Sequence, residues 1–362
     1  MEAPSTAVRL NPFKGMAGPE GTPVPWSPYG RILQERPNFT LDPLFHAGCY
    51  YVQDSSAMFV GHLFRSLADG FGPGVRVLDL CAAPGGKTTD LAASLRSRFG
   101  DAFTLVANEV IKSRAAVLRD NAGIWGDPNV VVSSVDPAVI GRELPGWFDV
   151  IVADVPCSGE GMFRKDPRAE KEWSPAVVDL CAARQKRILA DVWPALRQGG
   201  LLVYSTCTYE EKENDDNLEW AALELGGEII PPSGEFGKEG VMLTRRGSLL
   251  RAGVVPGEGQ WAGALRKSSA AASSRKPVIP GVLPPEETDR ALAIGYVPEC
   301  PVADLSLSEA LKYLHRDTLC LPDAPKGLLI AAYLSHPLGF MKNLGSRCNN
   351  LLPKNRRILM DV

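Results

Sequence analysis

The sequence predicts an α/β fold built on a parallel, Rossmann-like sheet, and three observations support that prediction. Between residues 46 and 267, apolar β-like runs alternate with helical stretches. Each predicted strand ends in a polar or reactive residue, as is typical of sheets that bind ligands at the carboxyl ends of their strands. At 362 residues, of which 45% are hydrophobic, the chain is long enough for about two domains with a sizeable core.

The elements of the α/β region can be assigned in order along the chain. Five strands are expected, with helical stretches between them. The predicted strands are Val75–Leu80, Thr104–Glu109, Val130–Ser134, Phe148–Asp154 and Gly200–Ser205, and the predicted helices are Lys87–Arg98, Lys112–Ala122 and Val177–Leu196.

Composition divides the chain into four segments. Residues 1–45 are rich in Pro and Gly, and residues 46–267 form the α/β domain. Residues 268–287, rich in Ser, Ala and Pro, are predicted to be an exposed linker. Residues 288–362 form a small C-terminal α+β module, whose last part, residues 326–362, carries six basic residues against one acidic residue.

Charge and cysteine usage exclude several protein classes. The net charge of −3 excludes a generally basic protein that coats nucleic acid, although a local basic face remains compatible with it. The chain has no long apolar span, and its first residues lack the layout of a signal peptide. The eight cysteines form no Cys-x-x-Cys pair and there are only four histidines, so neither a metal site nor a disulfide framework is predicted. We expect a monomeric cytoplasmic protein with reduced thiols and no membrane contact.

The loop after the first strand, Asp79-Leu-Cys-Ala-Ala-Pro-Gly-Gly-Lys-Thr88, is a candidate cofactor site. A phosphate-binding P-loop would need Gly where Cys81 stands, and Pro84 removes one amide from the phosphate cradle. A dinucleotide loop would need Gly-x-Gly-x-x-Gly, which is absent. A merely structural turn and an S-adenosylmethionine loop are the remaining interpretations, and the second is favoured by the acids that accompany the loop. The predicted contacts are Cys81, Ala82, Ala83, Pro84, Gly85, Gly86 and Lys87.

Three acidic residues near strand ends complete this prediction. Glu109, at the end of the second strand, is expected to bind the two ribose hydroxyls of S-adenosylmethionine. Asp136, just beyond the third strand, is expected to accept a hydrogen bond from the adenine amino group. Asp154 ends the fourth strand at the mouth of the site, where we expect it to contact cofactor and substrate.

Two cysteines follow neighbouring strands of the predicted sheet. Cys157 comes after the fourth strand and Cys207 after the fifth, so both should reach the edge that holds the cofactor loop. A single cysteine is more often an inert core residue, but a pair at this edge favours catalytic thiols. Lys87 is the cation expected to lower a thiol pKa there.

The motifs around these residues resemble a known family. They are Cys81-Ala-Ala-Pro-Gly-Gly-Lys-Thr88, Asp154-Val-Pro-Cys-Ser-Gly-Glu-Gly-Met-Phe-Arg-Lys-Asp-Pro167 and Tyr204-Ser-Thr-Cys-Thr208. These segments are similar to the hallmark motifs of the Nol/Nop/Sun RNA cytosine-5 methyltransferases, and most similar to the RsmF type that acts on bacterial small-subunit (16S) rRNA. The similarity covers residues 8–267 and extends into the terminal module.

The resemblance implies a class I methyltransferase fold, S-adenosylmethionine as cofactor and RNA as partner. It also implies that Cys207 is the nucleophile that adds to carbon 6 of cytosine, and that Cys157 assists its release. Asp154, held near Lys87, is our candidate partner for ring nitrogen 3. Family members carry a longer ferredoxin-like domain before the Val8-Arg-Leu-Asn-Pro12 segment, so residues 1–45 are expected to be an incomplete RNA-binding domain.

Basic residues in two places are candidate phosphate contacts, although such runs are often only solvated surface. The stretch from Glu210 to Glu219, in contrast, is expected to be a solvated helix start. The candidates are Arg164, Lys165 and Arg168 beside the catalytic loop, and Lys342, Arg347, Lys354, Arg356 and Arg357 in the terminal module.

Three alternatives to rRNA methylation stay open at this point. One is cytosine-5 methylation of tRNA, which needs the same catalytic residues. The others are a P-loop NTPase, which the missing glycine disfavours, and a non-catalytic RNA-binding protein of ribosome assembly.

Overall fold

A computed structural model of the chain describes residues 4–164, 167–270 and 278–360, and three β-sheets organise it. The first sheet is antiparallel, has the strand order β2-β3-β1-β4, and extends beyond the expected segment boundary at residue 45. Its elements are β1 at Thr6–Leu10, β2 at Thr22–Pro23, β3 at Gly30–Leu33, the short helix α1 at Pro43–His46, and β4 at Tyr50–Val52.

The central domain contains the second and largest sheet. Helices pack against this sheet, so the strands in its middle are largely buried, whereas the short strand Met242–Leu243 at its edge is exposed. The elements are α2 at Phe59–Leu67, β5 at Val75–Leu80, α3 at Gly86–Phe99, β6 at Phe103–Asn108, α4 at Lys112–Trp125, β7 at Val130–Ser133, α5 at Pro137–Glu143, β8 at Phe148–Asp154, α6 at Pro167–Glu172, α7 at Pro175–Val192, β9 at Leu196–Thr206, α8 at Asp215–Leu225, β10 at Gly227–Ile230, β11 at Met242–Leu243, β12 at Gly247–Arg251 and β13 at Gly259–Lys267.

The strand order of the central sheet is β11-β12-β13-β9-β8-β5-β6-β7, with β10 paired to β13. Strands β9, β8, β5, β6 and β7 are parallel, and β13 adds to β9 in the antiparallel sense. The chain proceeds from β5 through β6 and β7 in one direction, and through β8 and β9 in the other. The topological switch point therefore lies between β5 and β8, where open α/β sheets bind ligands.

The predicted strands and helices match the observed ones closely, except at the start of β9. The sequence predicts that Leu196 ends a helix, but α7 ends at Val192 and Leu196 begins the strand. Pro194 explains the difference, because a proline has no amide to continue a helix and here it lies in a single 3₁₀ turn.

The third sheet belongs to the C-terminal module and has the order β14-β15-β16-β17. Its core is shared with the N-terminal sheet, because Val8 and Tyr50 pack in one cluster with Tyr313 and Leu338. The two terminal segments therefore form one hydrophobic unit beside the central domain. The elements are β14 at Val302–Asp304, α9 at Leu307–His315, β15 at Gly327–Tyr333, β16 at His336–Asn343 and β17 at Cys348–Asn350.

Polar side chains of the N-terminal segment connect it to the central domain. Arg9 is fully buried, donates to the carbonyl oxygen of Gly86 at 3.2 Å and lies over the ring of Trp125. Asn11 and Lys14 donate to carbonyl oxygens at the carboxyl end of α4, at 3.2 and 2.8 Å. This N-terminal clamp, Arg9, Asn11 and Lys14, thus contacts both helices that flank the predicted cofactor loop.

The connection to the C-terminal module runs along the edge of the central sheet. Leu283 donates its amide to Val132 of β7 at 2.9 Å, and Ser134 donates to Gly281 at 2.9 Å. This part of the predicted linker is therefore hydrogen-bonded to the central domain. None of the helices within the described ranges is long and apolar enough to cross a membrane.

Candidate active site

The structure brings the two predicted catalytic cysteines together at the carboxyl edge of the central sheet. Cys157 follows β8 and Cys207 follows β9, and these strands are parallel neighbours. The two Sγ atoms lie 3.1 Å apart, within hydrogen-bonding distance. Neither thiol is in a disulfide.

The electrostatic surroundings make the two thiols unequal. The pKa of Cys207 is lowered, chiefly because its sulfur accepts a hydrogen bond from the Cys157 thiol; Lys87 acts in the same direction, while burial and Asp154 oppose it. The pKa of Cys157 is raised well above its ordinary value, because its proton is held in that hydrogen bond and the thiol is buried. These directions favour the proton on Cys157 and the thiolate on Cys207, as a nucleophilic Cys207 requires.

Lys87 and Asp154 form an ion pair beside the thiols. The distance from Lys87 Nζ to Asp154 Oδ2 is 2.8 Å. Burial acts to lower the pKa of Lys87, but the neighbouring Asp154 outweighs burial and raises it. Two residues that the sequence did not single out complete the arrangement: Ser205 and Gln260 donate to Asp154 Oδ1 at 2.7 and 3.2 Å. Asp154 is thus held by three donors at the edge of the sheet.

The predicted cofactor loop connects β5 to α3 at the switch point. Cys81 and Gly85 adopt positive φ angles of 61° and 115°. Gly85 tolerates this conformation at no steric cost, because it has no Cβ atom. Helix α4 fixes the loop, because Arg114 donates to the carbonyl oxygen of Ala83 at 2.9 Å and Asn121 to that of Pro84 at 2.7 Å. The turn is therefore rigidly shaped, and its glycines leave room for a ligand to approach the backbone.

The carboxylate of Glu109 has the properties expected of a ribose-binding group. Its side chain is only 2% exposed and follows β6 beside the loop. Oε1 accepts a hydrogen bond from the amide of Ile111 at 3.0 Å. Oε2 is buried, makes no hydrogen bond within the described residues and lies 3.3 Å from Arg114 Nη1. A buried acceptor without a hydrogen bond fits the hydroxyl donors of S-adenosylmethionine, so the residues present suit this cofactor.

Asp136 lies at the same edge but is used locally. Its side chain caps α5 by accepting from the amide of Ala138 at 2.9 Å through Oδ1. The residue is exposed. Its predicted contact to adenine stays a prediction.

The acidic stretch after Cys207 differs from the expectation of a solvated helix start. Glu213 is fully buried, and α8 begins only at Asp215, which is also buried. Burial raises the pKa of Glu213, against the effect of the hydrogen bonds that it accepts from Ser158 and Gln185. The sequence predicts a solvated stretch here because it is strongly acidic and its hydrophobic periodicity is weak.

The predicted phosphate contacts are distributed unevenly. Arg164 is used within the protein, because its Nε lies 2.8 Å from Glu258 Oε2 and its side chain is largely buried. Lys165 and the side chain of Arg168 lie outside the described residues. Arg356 is 8% exposed and pairs with buried Asp289, so the structure does not place it on the surface as predicted. The exposed members of the set are Lys342, Arg347, Lys354 and Arg357.

Three family models match successive parts of the chain. Residues 72–224 match the family described as 16S rRNA methyltransferase RsmB/F. Residues 1–55 match the N-terminal domain of 16S rRNA methyltransferase RsmF, and residues 300–358 match the methyltransferase RsmF PUA domain.

Curated relatives carry the same description. The chain is 37% identical over 304 residues to ribosomal RNA small subunit methyltransferase F of Shigella dysenteriae, covering 81% of this chain and 59% of that protein. It is 38% identical over 280 residues to the protein of the same name from Escherichia coli O7:K1, covering 74% and 56%. The chain thus spans less than two thirds of the length of these relatives.

A solved structure agrees with the fold. A methyltransferase homolog protein from Pyrococcus horikoshii superposes with a TM-score of 0.59 at 27% identity, covering 74% of this chain and 87% of that one. The predicted Rossmann-like methyltransferase fold and its S-adenosylmethionine cofactor are confirmed by these matches. Residues 72–224 are thus a methyltransferase domain of the RsmB/F family, flanked by segments that match the N-terminal and PUA domains of RsmF.

Proposed function

We propose that this protein methylates carbon 5 of a cytosine in 16S rRNA, using S-adenosylmethionine and a covalent bond between Cys207 and carbon 6. The observation that carries the proposal is the thiol pair, Cys157 and Cys207 at 3.1 Å, beside the Lys87–Asp154 ion pair. The rRNA substrate is supported by the names of the relatives, which are small-subunit rRNA methyltransferases.

The first step is nucleophilic addition. Carbon 5 of cytosine is a weak nucleophile, and addition of the Cys207 thiolate to carbon 6 makes it enamine-like. The electrons of the carbon 5–carbon 6 double bond move toward ring nitrogen 3. A proton taken from solvent and held between nitrogen 3 and Asp154 neutralises this charge, and Lys87, Ser205 and Gln260 keep the carboxylate in place.

The methyl group comes from S-adenosylmethionine, which supplies it as an electrophilic sulfonium when bound. The chain's contribution is to hold the donor at the switch point, through the 81–87 loop and the carboxylate of Glu109. Carbon 5 must face that loop, because methyl transfer needs the two atoms in line and close together.

Release restores the aromatic ring and the free thiolate. Once Cys207 is bonded to carbon 6, Cys157 gives its proton to solvent and then accepts the proton of carbon 5. The carbon–hydrogen electron pair forms the carbon 5–carbon 6 double bond, the carbon–sulfur bond breaks with its electrons returning to Cys207, and the nitrogen 3 proton leaves to solvent. One proton is thus released per methyl group. Burial, which also raises the pKa of Cys157, remains after the hydrogen bond to Cys207 is lost and makes the Cys157 thiolate a suitable base.

Access to the site requires an unstacked base. The thiols lie at the edge of a sheet between loops, so a cytosine in a stem has to flip out of its stack to reach Cys207. The exposed basic residues of the C-terminal module, such as Lys342 and Lys354, are suited to hold the flanking phosphates.

The test uses Cys207→Ser and Cys157→Ser with naked 16S rRNA, isolated small subunits and tRNA as substrates. We expect Cys207→Ser to lose methyl transfer and form no adduct, since the attacking group is gone. Cys157→Ser should still attack and methylate once, and then stall as a protein–RNA adduct on a denaturing gel. Cys320→Ser, at an exposed cysteine, is the matched control and should behave like the unaltered protein.

Two outcomes would contradict the proposal. Methylation without an adduct in any variant would remove the covalent mechanism. Methylation of tRNA alone, with 16S rRNA and small subunits unmodified, would move the substrate to tRNA while leaving the chemistry intact. Mapping the methylated position by bisulfite sequencing separates these cases.

A further inference from the structure

Two buried side chains hold the peptide groups on either side of Cys157. Glu213 accepts a hydrogen bond from the amide of Ser158, with Oε2 at 3.1 Å. Gln185, from α7, donates to the carbonyl oxygen of Pro156 at 2.9 Å and to Glu213 Oε2 at 2.7 Å. The two side chains are therefore bonded to each other and to both neighbours of the cysteine.

This cradle, Glu213 and Gln185, is itself fixed from behind. Both side chains are fully buried. Asn217 donates to Gln185 Oε1 at 2.7 Å, so the amide of Gln185 is oriented with its NH₂ group toward Pro156. Tyr204, on β9, lies with its hydroxyl 2.6 Å from the backbone carbonyl oxygen of Glu213, to which it donates. A carboxylate that is buried and bonded in this way has little freedom to move.

The carboxylate of Glu213 is held by hydrogen bonds and, in the part of the chain that the structure describes, not by a paired cation. Among the ion pairs of residues 4–164, 167–270 and 278–360, none involves this carboxylate. Burying a carboxyl group costs free energy unless hydrogen bonds compensate it. The compensating donors here are the amide next to Cys157 and the side chain of Gln185, so the group is directed at the cysteine loop.

The loop that carries Cys207 is tied to the same place by reciprocal contacts. Glu160, three residues after Cys157, accepts from the amide of Tyr209 at 2.9 Å. Gly161 donates its amide to the carbonyl oxygen of Cys207 at 2.8 Å. Glu213 follows Cys207 in the chain and bonds to the Cys157 loop, whereas Glu160 follows Cys157 and bonds to the Cys207 loop. These reciprocal hydrogen bonds set where one thiol lies relative to the other.

We propose that Glu213 and Gln185 are positioning residues that hold Cys157 against carbon 5 for the release step, a role that rests on the function proposed above. They act through the peptide groups of Pro156 and Ser158, whose positions determine where the Cys157 sulfur lies. Cys207 has separate supports, such as the bond from Gln260 to the carbonyl oxygen of Thr206 at 2.8 Å, so attack depends less on the cradle.

The test measures methyl transfer and release of RNA from the covalent adduct separately in Glu213→Gln and Gln185→Met. In Glu213→Gln the charge is lost, and the NH₂ group that replaces Oε1 faces the amide of Ser158, itself a donor, 3.4 Å away. This weakens the bond to Ser158, while the oxygen in the place of Oε2 can still accept from Gln185. In Gln185→Met the volume is kept and both donated bonds are lost. We expect single-turnover methyl transfer within about threefold of the unaltered protein, but release of RNA slowed about 10- to 100-fold, as a displaced reacting group implies. The adduct should therefore accumulate on a denaturing gel.

Controls distinguish positioning from general damage. Glu211→Gln, at an exposed carboxylate two residues away, should release RNA at the normal rate. A thermal melt identifies any variant that fails to fold, and the other variant then carries the test. In the Cys157→Ser background, Glu213→Gln should add no further slowing of release, because the group that it positions is absent.

The outcomes also separate this inference from the proposed function. Normal release in folded Glu213→Gln and Gln185→Met, while Cys157→Ser stalls, would refute the cradle and leave the covalent mechanism standing. Equal loss of methyl transfer and of release would refute it too, since the cradle would then support the whole site. Methylation by Cys207→Ser would instead overturn the proposed function itself.

Discussion

Replacement of Glu109 tests the cofactor pocket most directly. In Glu109→Ala the buried carboxylate disappears. The acceptor Oε2, the ion pair with Arg114 and the bond from the amide of Ile111 at 3.0 Å are lost with it. Glu109→Gln is the companion change, because its amide oxygen can still accept from Ile111 while the charge is lost. The two variants separate the loss of ribose binding from damage to the start of α4.

The magnitude follows from the number of bonds that the ribose loses. A hydrogen bond to a charged acceptor contributes about 1.5–3 kcal/mol. Oε2 of Glu109 makes no hydrogen bond within the described ranges and can accept one from a hydroxyl. The dissociation constant for S-adenosylmethionine should therefore rise by about 10- to 150-fold in Glu109→Ala. Because Arg114 Nη1 lies 3.3 Å from Oε2, the glutamine variant places an amide group beside a cation and should also bind more weakly.

Isothermal titration calorimetry with S-adenosylmethionine gives the affinity of each variant, and a melt without cofactor gives its stability. Glu143→Gln, at a half-exposed glutamate on α5, is the control and should bind as the unaltered protein does. An unchanged affinity in Glu109→Ala would remove this carboxylate from the cofactor site. Weakened binding in Glu109→Ala together with normal binding in Glu109→Gln would show that the backbone bond to Ile111, and not the charge, is what matters.

Two further predictions concern RNA affinity and pH. Replacing exposed Lys354 and Arg357 together by Gln should reduce the slope of log RNA affinity against log salt concentration by up to about two units in filter binding. An unchanged slope would mean that these two residues are only solvated surface. Arg356→Gln should instead lower the melting temperature, because Arg356 pairs with buried Asp289. Burial raises the pKa of Asp79 to about 7, against a hydrogen bond from Thr88 and the charge of Lys87, so its native state binds the proton more tightly than the unfolded chain does. The contribution of Asp79 to stability should be fully present below about pH 4 and should be lost as the pH rises through about 7. Asp79→Asn should therefore gain stability relative to the unaltered protein between about pH 4 and pH 7 in urea titrations, and a stability difference that does not change with pH would contradict this.

Much of the site was accessible from sequence because parallel strands share one edge. The strands that carry Cys157 and Cys207 were assigned from their apolar runs, and the meeting of the two thiols follows from their being neighbours in the sheet. Lys87 and Asp154 were expected to be close for the same reason, and their side chains form an ion pair. Local pattern and chain order were sufficient for these residues.

Residues that depend on long-range pairing were not accessible in this way. Gln260 reaches Asp154 only because β13 pairs with β9 in the antiparallel sense, and no local pattern sets that register. Arg356 was taken for a surface cation because its partner Asp289 is far away in the sequence. Glu213 was expected in solvent because the stretch around it is acidic, whereas its donors come from α7 and from the Cys157 loop.

The N-terminal clamp has a thermodynamic consequence for the rest of the protein. Arg9 donates to the carbonyl oxygen of Gly86, and Lys14 places a positive group at the carboxyl end of α4, where the helix dipole favours it. Binding of a cofactor at the Gly86 turn would therefore be linked to docking of the first strand. The factor by which docking of the strand raises the affinity for the ligand equals the factor by which the ligand favours docking, since such coupling is reciprocal.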